Sequence, residues 1–435
     1  MSIKNADLVL TAERRRRVRL TEAVASLSKS FALDQSFALE GYDHYLQVLG
    51  PWARELNYVN QHITVPQEQI DAAAKAYHSV ARHLVDELKW PDDAIKVLPQ
   101  GSASTQTLIR SPDRSKFDVD AVCQVDLNRI AARDPIAFFD EVGKALQPLS
   151  PTRKNRCWNV DFTGDPFYLE FTPSVPMDTV PAAIREAVAR RNVPVELYRS
   201  TALAVVDNAT RQWKTSNPAG MTKWVNDTAQ LQLIRSVAFE SATALDKALS
   251  IEPVPDQDVE ITDTLKVAIR LFKRHRDMCV YRQKIDKDFK PISIIIVTLL
   301  TSCYAGLAEL GRTYNHPVEL LAELAELLPG MVLELDGKYR VDNPTVEGEN
   351  FAEKWNQDDG ERYEAFHTWC DILAADMRII LAATDPQEIR ERVRSTFGCG
   401  GNTSSPADSN GQGGAGDRQP VRRPPSPPPR TTGLA

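Results

Sequence analysis

The chain lacks the spacings that announce a structural metal. Its six cysteines (Cys123, Cys157, Cys279, Cys303, Cys370 and Cys399) never pair as CxxC, and its seven histidines never pair as HxxxH. A zinc finger or ribbon is therefore not signalled, and isolated thiols in a long chain point to a reducing cytoplasm. Long apolar runs are missing too. The greasiest, Ile292 to Leu300, is nine residues and contains Ser293 and Thr298, whereas a membrane span needs ~20. The N-terminal MSIKNADLVL has no extended apolar stretch ahead of a small-residue cleavage site, so no secretory signal is expected. Positive charge is in deficit: 52 Lys and Arg face 59 Asp and Glu, a net charge of −7. Proteins that wrap duplex nucleic acid are usually basic, so at most a local basic groove is left open. No internal repeat is visible.

What is present is ordinary globular composition, 42% hydrophobic and 26% charged, over 435 residues. Single cores stop growing near ~250–300 residues, so at least two lobes are expected. The last stretch changes character: residues 401–435 hold seven Pro and six Gly, cannot bury enough surface to offset ordering entropy, and read as a disordered tail. Ahead of it, helical periodicity dominates. Residues 66–88 place Ile70, Ala73, Tyr77, Val80, Leu84 and Leu88 on one face, with Thr64 and Gln67 at capping-box spacing. Residues 317–328 repeat the pattern and stop at Pro329-Gly330. Arg14 to Arg17 are read as a solvated helix face, with a nucleic-acid arm as the minor alternative. Strand signals cluster at Ile95–Leu98, Phe117–Leu127, Arg156–Phe162 and Tyr168–Phe171, the last two joined by a Thr163-Gly164-Asp165-Pro166 turn. A small sheet flanked by helices, followed by a mostly helical half, is the predicted architecture.

Three pieces of this pattern carry chemistry. Gly101-Ser102 follows a short strand; glycine permits a tight turn and close approach of a phosphate, which Ser102 and nearby N–H groups could hold if Ser104 to Leu108 begin a helix. Taken alone, a Gly-Ser turn is commonplace. Asp118 and Asp120 sit at i and i+2 of an apolar strand, on one face and ~6.6 Å apart. Two such carboxylates repel and are costly to desolvate, and a pair of divalent cations resolves the conflict; a lone DxD on an edge strand would simply be solvated. Glu170 is a single acid inside the apolar run Tyr168–Phe171, needing either a metal shared with the aspartates or an arginine. Together, the turn, the same-face acid pair and the later third acid are the layout of a polymerase-beta-type nucleotidyltransferase.

The order Gln100-Gly101-Ser102, Thr107 to Pro112, then Phe117 to Cys123 resembles the active-site segment of bacterial cGAS/DncV-like nucleotidyltransferases (CD-NTases), and Tyr168 to Pro176 resembles their third-acid strand. Trp213 to Pro218, Leu271 to Asp277, Pro291 to Ile296 and Val341 to Pro344 extend the resemblance over roughly residues 60–370. It implies an α+β fold: a polymerase-beta-type core (residues 1–215, with N-terminal helices), a helical lobe (216–398) and the tail (399–435). It implies an enzyme of antiphage signalling (CBASS) that joins ATP and other ribonucleoside triphosphates into a cyclic di- or trinucleotide. Asp118, Asp120 and Glu170 would be the catalytic and metal-binding acids for two Mg²⁺, with Mn²⁺ as a substitute. Gln100, Gly101, Ser102, Lys273 and Ser293 would bind the nucleotide. On residues alone, Lys266, Arg270 and Lys273 form a basic helical stripe that reads as a solvated face, and Ser293 reads as a plain helix cap. The third acid is Glu where the family more often has Asp, which leaves Asp161 and Asp165 as alternatives. The zinc insertion of the animal DNA sensor is absent, so activation by double-stranded DNA is not implied, nor is a membrane. A HORMA-type regulator, or ubiquitin-like conjugation machinery acting on the tail, are the implied partners; an inert tail is the simpler reading. Modification of RNA ends or of a protein, and a catalytically silent nucleotide-binding scaffold, are the competing functions.

Overall fold

The structure, a computed structural model, describes residues 4–26, 42–91, 94–113, 116–126, 134–189, 192–234, 254–260, 263–315 and 317–400. The expected tail lies outside the described residues from 401 onward. Eight strands lie between residues 95 and 216: β1 (Ile95–Gln100), β2 (Phe117–Val125), β3 (Thr152–Arg153), β4 (Trp158–Asp161), β5 (Phe167–Pro176), β6 (Val193–Pro194), β7 (Leu203–Asp207) and β8 (Gln212–Ser216). All but β6 join one seven-stranded sheet of order β1-β2-β5-β4-β3, with β7 on the C-terminal end of β5 and β8 beyond it. β2 and β5 are parallel; the other pairs in the sheet are antiparallel. The sheet is thus mixed, and the α+β expectation holds.

The helices are α1 (Asn5–Ser26), α2 (Tyr42–Ile63), α3 (Gln67–Leu88), α4 (Gly101–Ser104), α5 (Pro135–Ala145), α6 (Ala182–Ala189), α7 (Pro218–Ala229), α8 (Thr264–Tyr281), α9 (Ser293–Glu309), α10 (Pro317–Leu327), α11 (Glu361–Leu381) and α12 (Pro386–Thr396). Alternation over residues 117–121 of β2 and 167–171 of β5 decides how the layers stack. Phe117, Val119, Ala121 and Cys123, with Phe167, Leu169 and Phe171, are buried and share a hydrophobic cluster with Tyr77 of α3 and Phe138 and Phe139 of α5. Each fully buried aromatic or aliphatic side chain of this kind contributes roughly 1.5–3 kcal/mol. The opposite face of the sheet carries Asp118, Asp120, Tyr168 and Glu170, all half-buried, with Val122 and Ser174 buried further along it. A second cluster unites α1, α2 and α7 to α12, with Trp369, Phe272 and Phe366 at its centre. All six cysteines are buried and none forms a disulfide, and among the described residues no helix is long and apolar enough to cross a membrane.

Several local expectations change. The Thr64/Gln67 capping box does not form. Pro66 precedes the helix, Thr64 Oγ1 donates to the Asn60 carbonyl and Gln67 Nε2 to Asp71. In the arginine run Arg14, Arg15 and Arg17 are exposed, as expected of a solvated face, and Arg16 is half-buried; Arg15 also donates to the Gly330 and Val332 carbonyls and Arg16 pairs with Glu323 at 3.1 Å. The helix after the Gly-Ser turn is α4, starting at Gly101, not a helix from Ser104 to Leu108. The basic stripe of α8, by contrast, is not solvated: Lys266, Arg270 and Lys273 are 7%, 0% and 5% exposed. They reach polar groups of other segments, Lys266 to Gln106 Oε1, Arg270 to the Gln257 carbonyl and Lys273 to the Thr107 carbonyl.

Candidate active site

Register, more than sequence proximity, assembles the site. Gln100 of β1 pairs with Asp120 of β2, Asp120 with Glu170 of β5, and Glu170 with Asn159 of β4. Residues directly opposite one another in a ladder share a face, so Gln100, Asp120, Glu170 and Asn159 form one row, with Asp118 and Tyr168 paired in the row next to it. Gln100 Nε2 donates to Thr172 Oγ1 at 3.3 Å across this face. Gly101 then turns the chain with φ +64°, and the space a Cβ would fill there lies 2.2 Å from Asp120 Oδ2. Glycine is required at this position on both counts: the left-handed backbone and the close approach of a carboxylate. Thr105 N and Thr107 N close the turn onto the Gly101 and Ser102 carbonyls.

A cleft of about 700 Å³ opens above the turn. Gln100, Gly101, Ser102, Asp118, Asp120, Lys273 and Ser293 all line it, which brings together every predicted site residue except Glu170. Glu170 stands beside Asp120 in the sheet, but its carboxylate is engaged: Lys154 Nζ donates to Oε1 at 2.6 Å and Cys157 Sγ to Oε2 at 3.4 Å. Of the alternatives, Asp161 pairs with Lys116 at 2.5 Å, and neither it nor Asp165 lines the cleft. Ser293 is the first residue of α9, with Ile292 in the cap position, so it is not the cap; its Oγ accepts from Arg276 at 3.1 Å.

The electrostatics are unbalanced in a telling direction. Desolvation, followed by the charges of Asp118 and Glu170, raises the pKa of Asp120 well above the ordinary carboxylate range, and Lys273 and Lys154 only partly offset this. Burial, followed by Arg276, pulls Lys273 down to about 8, although Asp118 opposes it. Burial and Glu170 push the Cys157 thiol up, so it stays a proton donor to Glu170. A carboxylate held this way gains from any added positive charge.

Among the described residues no three Asp, Glu, His or Cys side chains converge as a ready-made metal cage. The donor set nevertheless fits Mg²⁺, which is commonly bound by one or two carboxylates with substrate phosphates and water completing the shell. Asp118 and Asp120 provide hard oxygens on one face, and Asp120 is short of a cation. Sequence reasoning missed Lys154, Cys157, Arg276 and Asn217. Arg276 was findable, one further step along the Lys266–Arg270–Lys273 stripe. Asn217 caps α7 and accepts from Gly220 N at 2.9 Å, beside the cleft it lines. Lys154 and Cys157 sit in a hairpin with no local signal.

No family model matches the chain. A c-di-GMP synthase of Roseivirga ehrenbergii is 26% identical over 330 residues, which are 74% of this chain and 78% of that protein. Among solved structures, the Bradyrhizobium diazoefficiens CD-NTase CdnG, in complex with GTP, superposes with a TM-score of 0.52 at 20% identity, covering 80% of this chain and 98% of that one. The E. coli MS115-1 CdnC in complex with a HORMA protein gives 0.50 at 13% identity, covering 80% and 96%. The mixed sheet with its acid pair beside a Gly-Ser turn, packed on a helical half, is the fold of a polymerase-beta-type nucleotidyltransferase. Within that class the chain is similar in sequence to the c-di-GMP synthase and in fold to the CD-NTases CdnG and CdnC.

Proposed function

We propose that this protein joins ribonucleoside triphosphates into a cyclic di- or trinucleotide messenger of bacterial antiphage defence, by two-metal-ion phosphoryl transfer. The observation that carries the reading is the same-face Asp118–Asp120 pair, with Asp120 desolvated, set against the Gly101-Ser102 turn, in one cleft with Lys273 and Ser293. The names of the relatives support nucleotide substrates, a guanine nucleotide among them.

Asp118 and Asp120 would hold the metal pair, with Glu170 on the side of the attacking hydroxyl. When bound, two Mg²⁺ (or Mn²⁺) ions neutralise phosphate charge and make the hydroxyl more acidic. The chain's own groups do the rest. The Gln100–Ser102 turn positions the donor triphosphate. Arg276 already donates to Ser293 Oγ, which leaves the Ser293 hydroxyl proton free for a phosphate oxygen. Lys273, buried and pulled down to about 8, gains its full charge beside a polyanion. The 2′- or 3′-hydroxyl of a second nucleotide attacks the α-phosphorus in line, Glu170 takes its proton, and pyrophosphate leaves. A hydroxyl of the linear product then attacks the α-phosphorus of its own remaining triphosphate, which closes the ring and releases another pyrophosphate. Positioning and charge stabilisation supply most of the rate, as in phosphoryl transfer generally. A cytoplasmic reaction suits six cysteines that form no disulfide. A HORMA-type regulator or tail conjugation belongs to the same proposal; the intact mass of the C-terminus, measured after purification with the operon's other products, tests the latter.

Pure protein incubated with the four ribonucleoside triphosphates and Mg²⁺, then treated with phosphatase, is expected to leave a phosphatase-resistant cyclic product on mass spectrometry. Label transferred instead to RNA or protein would favour the macromolecule-modifying alternative, and no consumption of nucleotide under any of these conditions would favour a silent scaffold.

A further inference from the structure

The unused feature nearest the chemistry is the hairpin between β3 and β4. Lys154 N donates to the Cys157 carbonyl at 2.9 Å, closing the turn. A second loop pins that turn: Asn208 Nδ2 donates to the carbonyls of Lys154 and Asn155, and Ala209 N donates to Asn155 Oδ1. The backbone of Lys154 is thus fixed while its side chain, 45% exposed, runs along Tyr168, with Nζ 5.6 Å from the ring centre, to Glu170. Both Glu170 oxygens are occupied, one by the ammonium and one by the Cys157 thiol. Burial works against the charged form of Lys154, yet the hydrogen bond and charge of Glu170 outweigh it and raise its pKa. Asp120, next in the row, carries a repulsion from Asp118 and Glu170 that Lys273 and Lys154 only partly offset.

We propose that the Lys154 ammonium is a resident counter-ion of Glu170 that a divalent cation must displace, so that Lys154 sets the cation concentration at which the acid row fills. An ion on Glu170 would stand within a few ångströms of a fixed positive charge, and like charges at that range repel strongly in a half-buried site. A lysine on a four-carbon stem can swing to solvent; the anchored turn beneath it ensures that it returns when the ion leaves. The inference rests on the reading above, in which Asp118, Asp120 and Glu170 receive the metal.

The test is titration of metal-free protein with Mn²⁺ alone, counting free ion by electron paramagnetic resonance. Lys154→Met is expected to bind Mn²⁺ about fivefold more tightly, since one competing ion pair has been removed, and Lys154→Arg to bind as the wild type does. Adding Glu170→Gln to Lys154→Met is expected to erase the gain. Without metal, Lys154→Met is expected to melt below the wild type and to recover with Mn²⁺, which distinguishes it from a variant that misfolds. Unchanged or weakened Mn²⁺ affinity in Lys154→Met would overturn the counter-ion role. If the Asp118→Asn, Asp120→Asn pair leaves Mn²⁺ binding untouched, the metal-site reading has failed and the counter-ion role with it. If that pair abolishes binding while Lys154→Met changes nothing, only the counter-ion role has failed.

Discussion

Replacing Asp120 by asparagine is expected to cut product formation by a factor on the order of 10³ or more and, in metal-free buffer, to raise the melting temperature by about 2–4 °C. The two effects share one cause. Asp120 is desolvated beneath the Gly101 turn and repelled by Asp118 and Glu170, so its negative charge is maintained against the stability of the fold. Asparagine keeps the volume and removes the charge. The stability gain carries a sign that can be checked against pH. A carboxylate whose pKa is higher folded than unfolded binds more protons in the folded state, so its cost is fully felt above the raised pKa and disappears below the ordinary carboxylate range. The gap in melting temperature between variant and wild type is therefore expected to close as the pH is lowered from neutral. Thermal scans across that range, beside a product assay, read both effects; a variant that loses activity and stability together at neutral pH would contradict the account.

Gly101→Ala is the second substitution with a large expected effect. Its Cβ would lie 2.2 Å from Asp120 Oδ2 and 3.2 Å from Asp120 Cγ, at a backbone φ of +64°. The left-handed conformation alone costs an alanine roughly 1–2 kcal/mol. The collision is the more damaging term, because the carboxylate must rotate away from the face it shares with Asp118. A displacement of the reacting groups on the order of 1 Å costs about 10²-fold in rate, and a loss of about that size in kcat is expected. Gly164→Ala is the matched control. Gly164 also has positive φ, +93°, but nothing lies within 4 Å of its Cβ position. It should show the backbone penalty in a denaturant midpoint and leave turnover unchanged.

The acids of β2 were legible in the sequence because parity in a strand is a local property: Asp118 and Asp120 alternate with Phe117, Val119 and Ala121, and the structure keeps that alternation. The turn was legible for the same reason. The partner of Glu170 was not. Local reasoning offered a metal or an arginine, and the structure supplies Lys154 from a hairpin sixteen residues away in sequence, a contact fixed by strand pairing that no periodicity encodes. The basic stripe of α8 failed for a related reason. Helical spacing says that Lys266, Arg270 and Lys273 share a face, but solvent exposure depends on what covers it. Here the segments around Gln106, Thr107 and Gln257 supply acceptors to all three, so a polar face became an interior one. β7 and β8 escaped notice because Leu203 to Asp207 is buried throughout and shows no alternation to detect, while Gln212 to Ser216 is short and polar at both ends.

The central claim is that Asp118 and Asp120 receive a metal pair together with a triphosphate at the Gly101-Ser102 turn. Anomalous diffraction from crystals grown with Mn²⁺ and a non-hydrolysable GTP tests it most directly. Two manganese peaks bridging the Asp118 and Asp120 carboxylates and the phosphate chain, with the chain against Gly101 and Ser102, are the predicted result. A nucleotide bound elsewhere, or one bound in this cleft with no manganese on either aspartate, would contradict it.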